Sequence, residues 1–172
     1  MKPTENLGSF LAHAVVLEDE AAQRYDELAE AMRQHNNPEV TDLFERMAGY
    51  SRLHRAEATD LAERYAGGLP ALKPWEFNWP GMESPESASM EGSHYLMTAH
   101  HALKLALGAE RSAQAFYAGV AAAATTDRIR ELATEFAEEE ADHARQLIDW
   151  LERVPPPDPG WDEDLDPPVE VE

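Results

Sequence analysis

The sequence predicts an all-α fold: a four-helix bundle of two antiparallel helical hairpins joined by a long crossover connection. Three observations lead there. Four long segments carry apolar residues at the 3.6-residue rhythm of amphipathic helices. No alternating β-branched run suggests a strand, while Ala, Leu, Glu and Arg dominate the periodic segments. Two of the three connections are short and the middle one is long. At 172 residues the chain has the size of one ordinary domain and can bury a real core.

The first helix is expected from about Thr4, a capping residue, to about Gln34. The second opens at Asn37-Pro38-Glu39, which supplies a cap, a proline at the first helical position and an acid in the first turn; it ends at Ala66-Gly67-Gly68. The third begins near Thr98, after a short turn at Ser93–Met97, and runs to about Ala124. The fourth opens at Thr126-Asp127 and ends before Pro155-Pro156-Pro157.

Asn36-Asn37-Pro38 and Thr125-Thr126 are short enough to make each flanking pair of helices antiparallel neighbours. The connection over about 67–97 is long enough to return along a helix of about 42 Å, at about 1.5 Å per residue. Its Leu69, Leu72, Trp75, Phe77 and Trp79 suggest that it packs on the bundle. The bundle is thus expected over residues 1–154. Residues 155–172 form a Pro-rich acidic tail, read as extended, with Trp161 as an anchor to the surface.

Composition narrows the function. The formal net charge of −20 repels nucleic acid and anionic membrane. No apolar run approaches the roughly 18 residues of a membrane span. The start MKPTENLGSF lacks a signal-peptide pattern, so a cytoplasmic location is expected. The absence of cysteine excludes disulfides, zinc–thiolate sites and iron–sulfur clusters. Any metal must be held by His, Asp and Glu, which suit iron, manganese, zinc or magnesium.

The two hairpins resemble each other. Glu18, Ala21, Tyr25 and Ala29 recur as Glu110, Ala113, Tyr117 and Ala121, at an offset of 92. Leu43, Ala48 and His54 recur as Leu132, Ala137 and His143, at an offset of 89. In each helix the apolar stripe is interrupted near its middle by polar residues. Glu18 interrupts Leu11, Ala14, Ala21, Tyr25, Leu28 and Met32, and Glu110 interrupts Leu103, Leu107, Ala113, Tyr117 and Val120. Glu140 and His143 lie between Leu132, Phe136, Leu147 and Leu151, while Ser51 and His54 lie among Met47, Ala58, Leu61 and Tyr65.

A buried, unpartnered carboxylate costs too much for a domain of this size, and a cation among three glutamates and two histidines removes the cost. His143 follows Glu140 by three residues, which points both side chains at one ion. Glu18, His54, Glu110, Glu140 and His143 are therefore the candidate metal ligands. His13, His35, His94, His100 and His101 lie off the stripe or near connections and read as surface residues.

These residues carry a family pattern: the four helices resemble the rubrerythrin branch of the ferritin-like superfamily. There, helices one and three each give a Glu, and helices two and four each give Glu-x-x-His. Glu18, Glu110 and Glu140-Ala-Asp-His143 match; helix two reads Ser51-Arg-Leu-His54, with serine in place of the family's bridging Glu. The site can then bind two metals asymmetrically, one chiefly through Glu110, Glu140 and His143, or none. Glu20 and Glu57 could substitute only with altered geometry.

The resemblance implies a di-metal oxidoreductase, with two iron ions (manganese or zinc as alternatives) acting on O₂ or peroxide. Tyr25 and Tyr117 would be hydrogen-bonding neighbours of the ligands or radical traps, or simply core tyrosines. With no cysteine-ligated iron domain, peroxidase turnover needs an external electron donor. An extra Glu often found after the helix-three ligand is Ala113 here. The alternatives are a ferroxidase or iron-storage-associated protein, and a non-catalytic bundle with a degraded site. Homodimerisation is a further expectation from the family.

Overall fold

The computed structural model describes residues 2–80 and 97–156. Its helices are α1 (Leu7–Gln34), α2 (Pro38–Tyr65), α3 (Ala99–Ala123) and α4 (Asp127–Arg153), with a 3-10 turn at Pro74–Glu76 and no strand among the described residues. Each long helix starts at a side-chain cap that binds a backbone N–H otherwise left without an intrahelical acceptor. Asn6, Asn37, Thr98 and Thr126 accept from Ser9, Val40, His101 and Ile129. The start of α1 differs from expectation. Lys2 accepts from the N–H groups of Glu5 and Asn6, which makes a separate turn of the segment around Thr4, and Asn6 takes the capping role. Gly67 and Gly68, at φ 73° and 102°, end α2, and the Gly68 N–H returns to the Ala62 carbonyl.

α1 packs along α2, and α3 along α4. Two apolar clusters then fix how the hairpins meet. One joins Leu28 and Met32 from the end of α1, Val40 and Phe44 from the start of α2, Leu103 and Leu107 from the start of α3, and Leu147 from the end of α4. The other joins Phe10 and Leu17, Ala58 and Ala62, Tyr117 and Val120, and Ile129 and Phe136. The start of α3 thus lies beside the start of α2 and the end of α1. The end of α2 and the start of α3 therefore lie at opposite ends of the bundle, giving the ferritin-like arrangement expected.

The beginning of that crossover corrects one expectation. His13 was expected at the surface, yet it is fully buried. Phe77, Trp79 and Phe116 surround its ring at centroid distances of 4.9, 4.7 and 5.9 Å. Its Nδ1 meets the Ser9 carbonyl at 2.7 Å, and its Nε2 accepts from the Asn78 backbone N–H at 2.9 Å. His13 is a fastener for the returning chain, covered by residues more than sixty positions away. His35 is exposed, whereas His100 and His101 are half-buried.

Leu72, Phe77 and Trp79 pack as expected, but Leu69 and Trp75 are exposed, Trp75 at 76%. Tyr65 also leaves the apolar stripe; it is exposed, with the Arg128 guanidinium 4.0 Å from its ring centroid. The rest of the expected turn at Ser93–Met97 before Met97, with His94, lies outside the described residues. So does the tail beyond Pro156, including Trp161. Among the described residues, no helix is long and apolar enough to cross a membrane.

Candidate metal centre

The polar interruptions of the four stripes meet between the two apolar clusters. Glu18, Glu110, Glu140 and His143 are 6%, 2%, 5% and 7% exposed, and Ser51 is also buried. The helical spacing of Glu140 and His143 brings His143 Nδ1 within 3.4 Å of Glu140 Oε2. From α3, Glu110 Oε2 approaches the same nitrogen at 3.6 Å. Ligand atoms of Glu110, Glu140 and His143 all lie within 4.8 Å of one another. Donors about 2.0–2.2 Å from one ion stand at most about 4.4 Å apart, so closing by a few tenths of an ångström at most brings all three onto one ion.

The α1–α2 side is looser. His54 Nδ1 stands 3.8 Å from Glu18 Oε1 and is buried without a hydrogen-bond partner. The rings of His54 and His143 lie nearly parallel, 5.5 Å apart, so the two histidines border adjacent volumes. On its other side His54 Nε2 is 3.5 Å from Glu139 Oε2. The five ligand candidates thus gather around one region, with His54 at its more exposed edge.

Electrostatics mark the same region. Burial alone would raise the Glu110 carboxyl, but hydrogen bonds with Glu140 and His143 and the Arg24 charge outweigh it, holding it down to about 2. Glu140 moves the other way. Its burial, reinforced by the charge of Glu110 and by hydrogen bonds with Glu110 and Glu18, pushes its carboxyl well above the usual range. Glu140 therefore sits between the carboxylates of α1 and α3. For His54, burial opposes protonation, but Glu18, Glu139 and Glu57 prevail and raise it to about 9.

Tyr25 behaves unlike its counterpart. It is two turns from Glu18 on its own helix, yet its hydroxyl donates to Glu110 Oε1 on α3. Side chains lean toward the helix N-terminus, which lets a residue two turns onward reach back to the level of the site. The Tyr117 hydroxyl is buried with no hydrogen-bond partner.

Sequence reasoning missed two site-lining residues. Arg24 is 2% exposed, with Nη2 3.9 Å from Glu110 Oε1 and its guanidinium carbon 4.6 Å from the Tyr25 ring centroid. The repeat contained the signal: Arg24 is the equivalent of Phe116, a buried position on α3. Glu139, overlooked within a run of three glutamates, faces His54 across the α2–α4 seam.

A family model for rubrerythrin matches residues 9–99 and 101–161. The chain belongs to the rubrerythrin family. It is also similar to the crystal structure of an uncharacterized conserved protein from Magnetospirillum magnetotacticum MS-1. The two are 39% identical with a TM-score of 0.72, covering 88% of this chain and 97% of that one. No curated protein matches the chain.

The residues present fit the metal a rubrerythrin implies. The buried, unpartnered His54 nitrogen and the like-charged contact of Glu110 with Glu140 are the features a cation would satisfy. The nitrogen and oxygen donors suit iron, manganese or zinc.

Proposed function

We propose that this rubrerythrin is a non-haem di-metal oxidoreductase, using iron bound by Glu18, His54, Glu110, Glu140 and His143 to act on O₂ or peroxide. The observation that carries the reading is the buried convergence of Glu110, Glu140 and His143 from two helices. Bound iron would supply the electron transfer by cycling between Fe(II) and Fe(III).

The chain's own groups have separate tasks. His143 and Glu110 hold the α3–α4 side, and Glu18 and His54 hold the α1–α2 side. Glu140 lies between them, its carboxyl perturbed by both glutamates, as the group able to serve each side. Tyr25 and Arg24 fix one Glu110 oxygen, leaving the other directed at His143. The apolar clusters at either end exclude bulk water and strengthen these interactions. A peroxidase cycle needs electrons from an external donor, since the chain has no cysteine to bind a relay iron.

The net charge of −20, which attracts Fe(II), favours a second reading, a ferroxidase that oxidises Fe(II) and releases it, whereas Ser51, where one carboxylate of the family's set is missing, favours a non-catalytic bundle. One experiment separates the two. The full chain is loaded anaerobically with Fe(II), mixed with O₂ or hydrogen peroxide, and followed by ferric absorption with and without an electron donor. Preferential, repeated peroxide turnover is the expected result. Oxidation by O₂ with accumulation of ferric product supports the ferroxidase. Failure to bind iron, with no effect of chelator on thermal stability, overturns both.

A further inference from the structure

Ser51 removes one carboxylate from the α1–α2 side, and the neighbouring contacts show what remains. Glu110 cannot compensate: its Oε1 receives the Tyr25 hydroxyl and faces Arg24, while its Oε2 faces His143. A second ion must therefore draw on groups lying away from Glu110. Such groups exist on the α2–α4 seam, where ligand atoms of His54, Glu57 and Glu139 all lie within 4.8 Å of one another.

The charge balance points the same way. Inside the site, Glu18, Glu110 and Glu140 offer three carboxylates, and the buried Arg24 guanidinium opposes them. One divalent ion is enough to neutralise that interior. A second is better accommodated where further carboxylates are added and water remains in reach. The His54 side chain is 19% exposed and that of Glu139 is 30% exposed, whereas Glu110 is at 3%. The unpartnered His54 Nδ1, 3.8 Å from Glu18, gives this position an inward connection to the first.

We infer that Glu139 and Glu57 join His54 in an outer divalent-cation position beside Ser51, replacing the missing carboxylate and making the centre asymmetric. The inference rests on the di-metal reading and adds ligands to it. The inner ion, on Glu110, Glu140 and His143, is tight; the outer one is weaker and exchanges with solvent cations. Glu18 lies between the two.

The test is an anaerobic titration of the metal-free full chain with Co(II), read by visible absorption and calorimetry. Two equivalents are expected, the second at least about tenfold weaker. Glu139→Gln should weaken the second by at least about tenfold, no less than the loss of a hydrogen-bonding neighbour of a ligand costs, and leave the first unchanged. Adding Ser51→Glu to that variant should restore it. A single equivalent in the unaltered chain, a second equivalent indifferent to Glu139→Gln, or simultaneous loss of both in that variant overturns the outer position. Absence of a first equivalent that His143→Ala removes overturns the di-metal reading itself.

Discussion

The two hairpins share one sequence pattern and differ in chemistry. On α3 and α4, Glu110, Glu140 and His143 are buried and mutually within reach of one ion. On α1 and α2, the equivalents are Glu18, Ser51 and His54, and His54 turns toward Glu139 as well as Glu18. The tyrosines differ too: Tyr25 serves Glu110, while the hydroxyl of Tyr117 has no hydrogen-bond partner. A repeated sequence places equivalent backbones at equivalent depth. Which groups complete the site depends on the residues that differ between the copies, namely Ser51, Arg24 and Glu139.

The contrast can be broken by single substitutions. Arg24→Met should have the largest effect on the metal-free chain, because removing one member of a buried charge pair costs about 3–5 kcal/mol. Thermal melts with and without Mn(II) measure it. The metal should recover much of the loss, since a cation can replace the guanidinium opposite Glu110. Equal losses in both melts would assign Arg24 to packing alone.

Next, His143→Ala should weaken binding of the first metal equivalent by on the order of a hundredfold, whereas His54→Ala should spare it and weaken the second. Calorimetric titration of the two variants distinguishes them. Equal effects on the first equivalent would mean that the halves are not different in kind.

A smaller pair tests the tyrosines. Tyr25→Phe leaves a buried Glu110 oxygen without its donor and should cost about 1–3 kcal/mol. Tyr117→Phe removes a buried hydroxyl that makes no hydrogen bond and should leave stability unchanged or raise it by up to about 1 kcal/mol. Denaturant midpoints of the metal-free proteins decide; similar costs would contradict the asymmetry.

The last expectation concerns His13. Burial is the main cause lowering its pKa from 6.5, opposed by the bond to Ser9 and assisted by the positive N-terminus. Its stabilisation is therefore complete above about pH 6.5 and lost as pH falls toward the lowered folded value. Protonation would also prevent Nε2 from accepting the Asn78 N–H. Replacing His13 with Gln should flatten the decline in stability between pH 7 and pH 5 (approximate limits of that window).

Much of the inward-facing polar set was legible because helical position is a local property. A glutamate in the gap of an apolar stripe must face inward once that stripe is buried, and all of Glu18, Glu110 and Glu140 do so. Ser51 was equally legible as a departure. Arg24 was obscured because a charged residue beside the stripe ordinarily reaches solvent, and only the equivalence with Phe116 betrays its depth. Glu139 was indistinguishable from its neighbours Glu138 and Glu140 until α2 was placed opposite α4.

The sequence by itself determined four helices, the Asn37 cap, the length of the crossover and the inward Glu/His positions, because hydrogen bonds and apolar periodicity within a few residues specify them. Tertiary structure decided the rest. His13 is sealed by the returning crossover, Tyr25 reaches a glutamate 85 positions away, and His54 finds Glu139 on another helix. Burial and electrostatics at these places arise from segments distant in the chain, so no local window contains them.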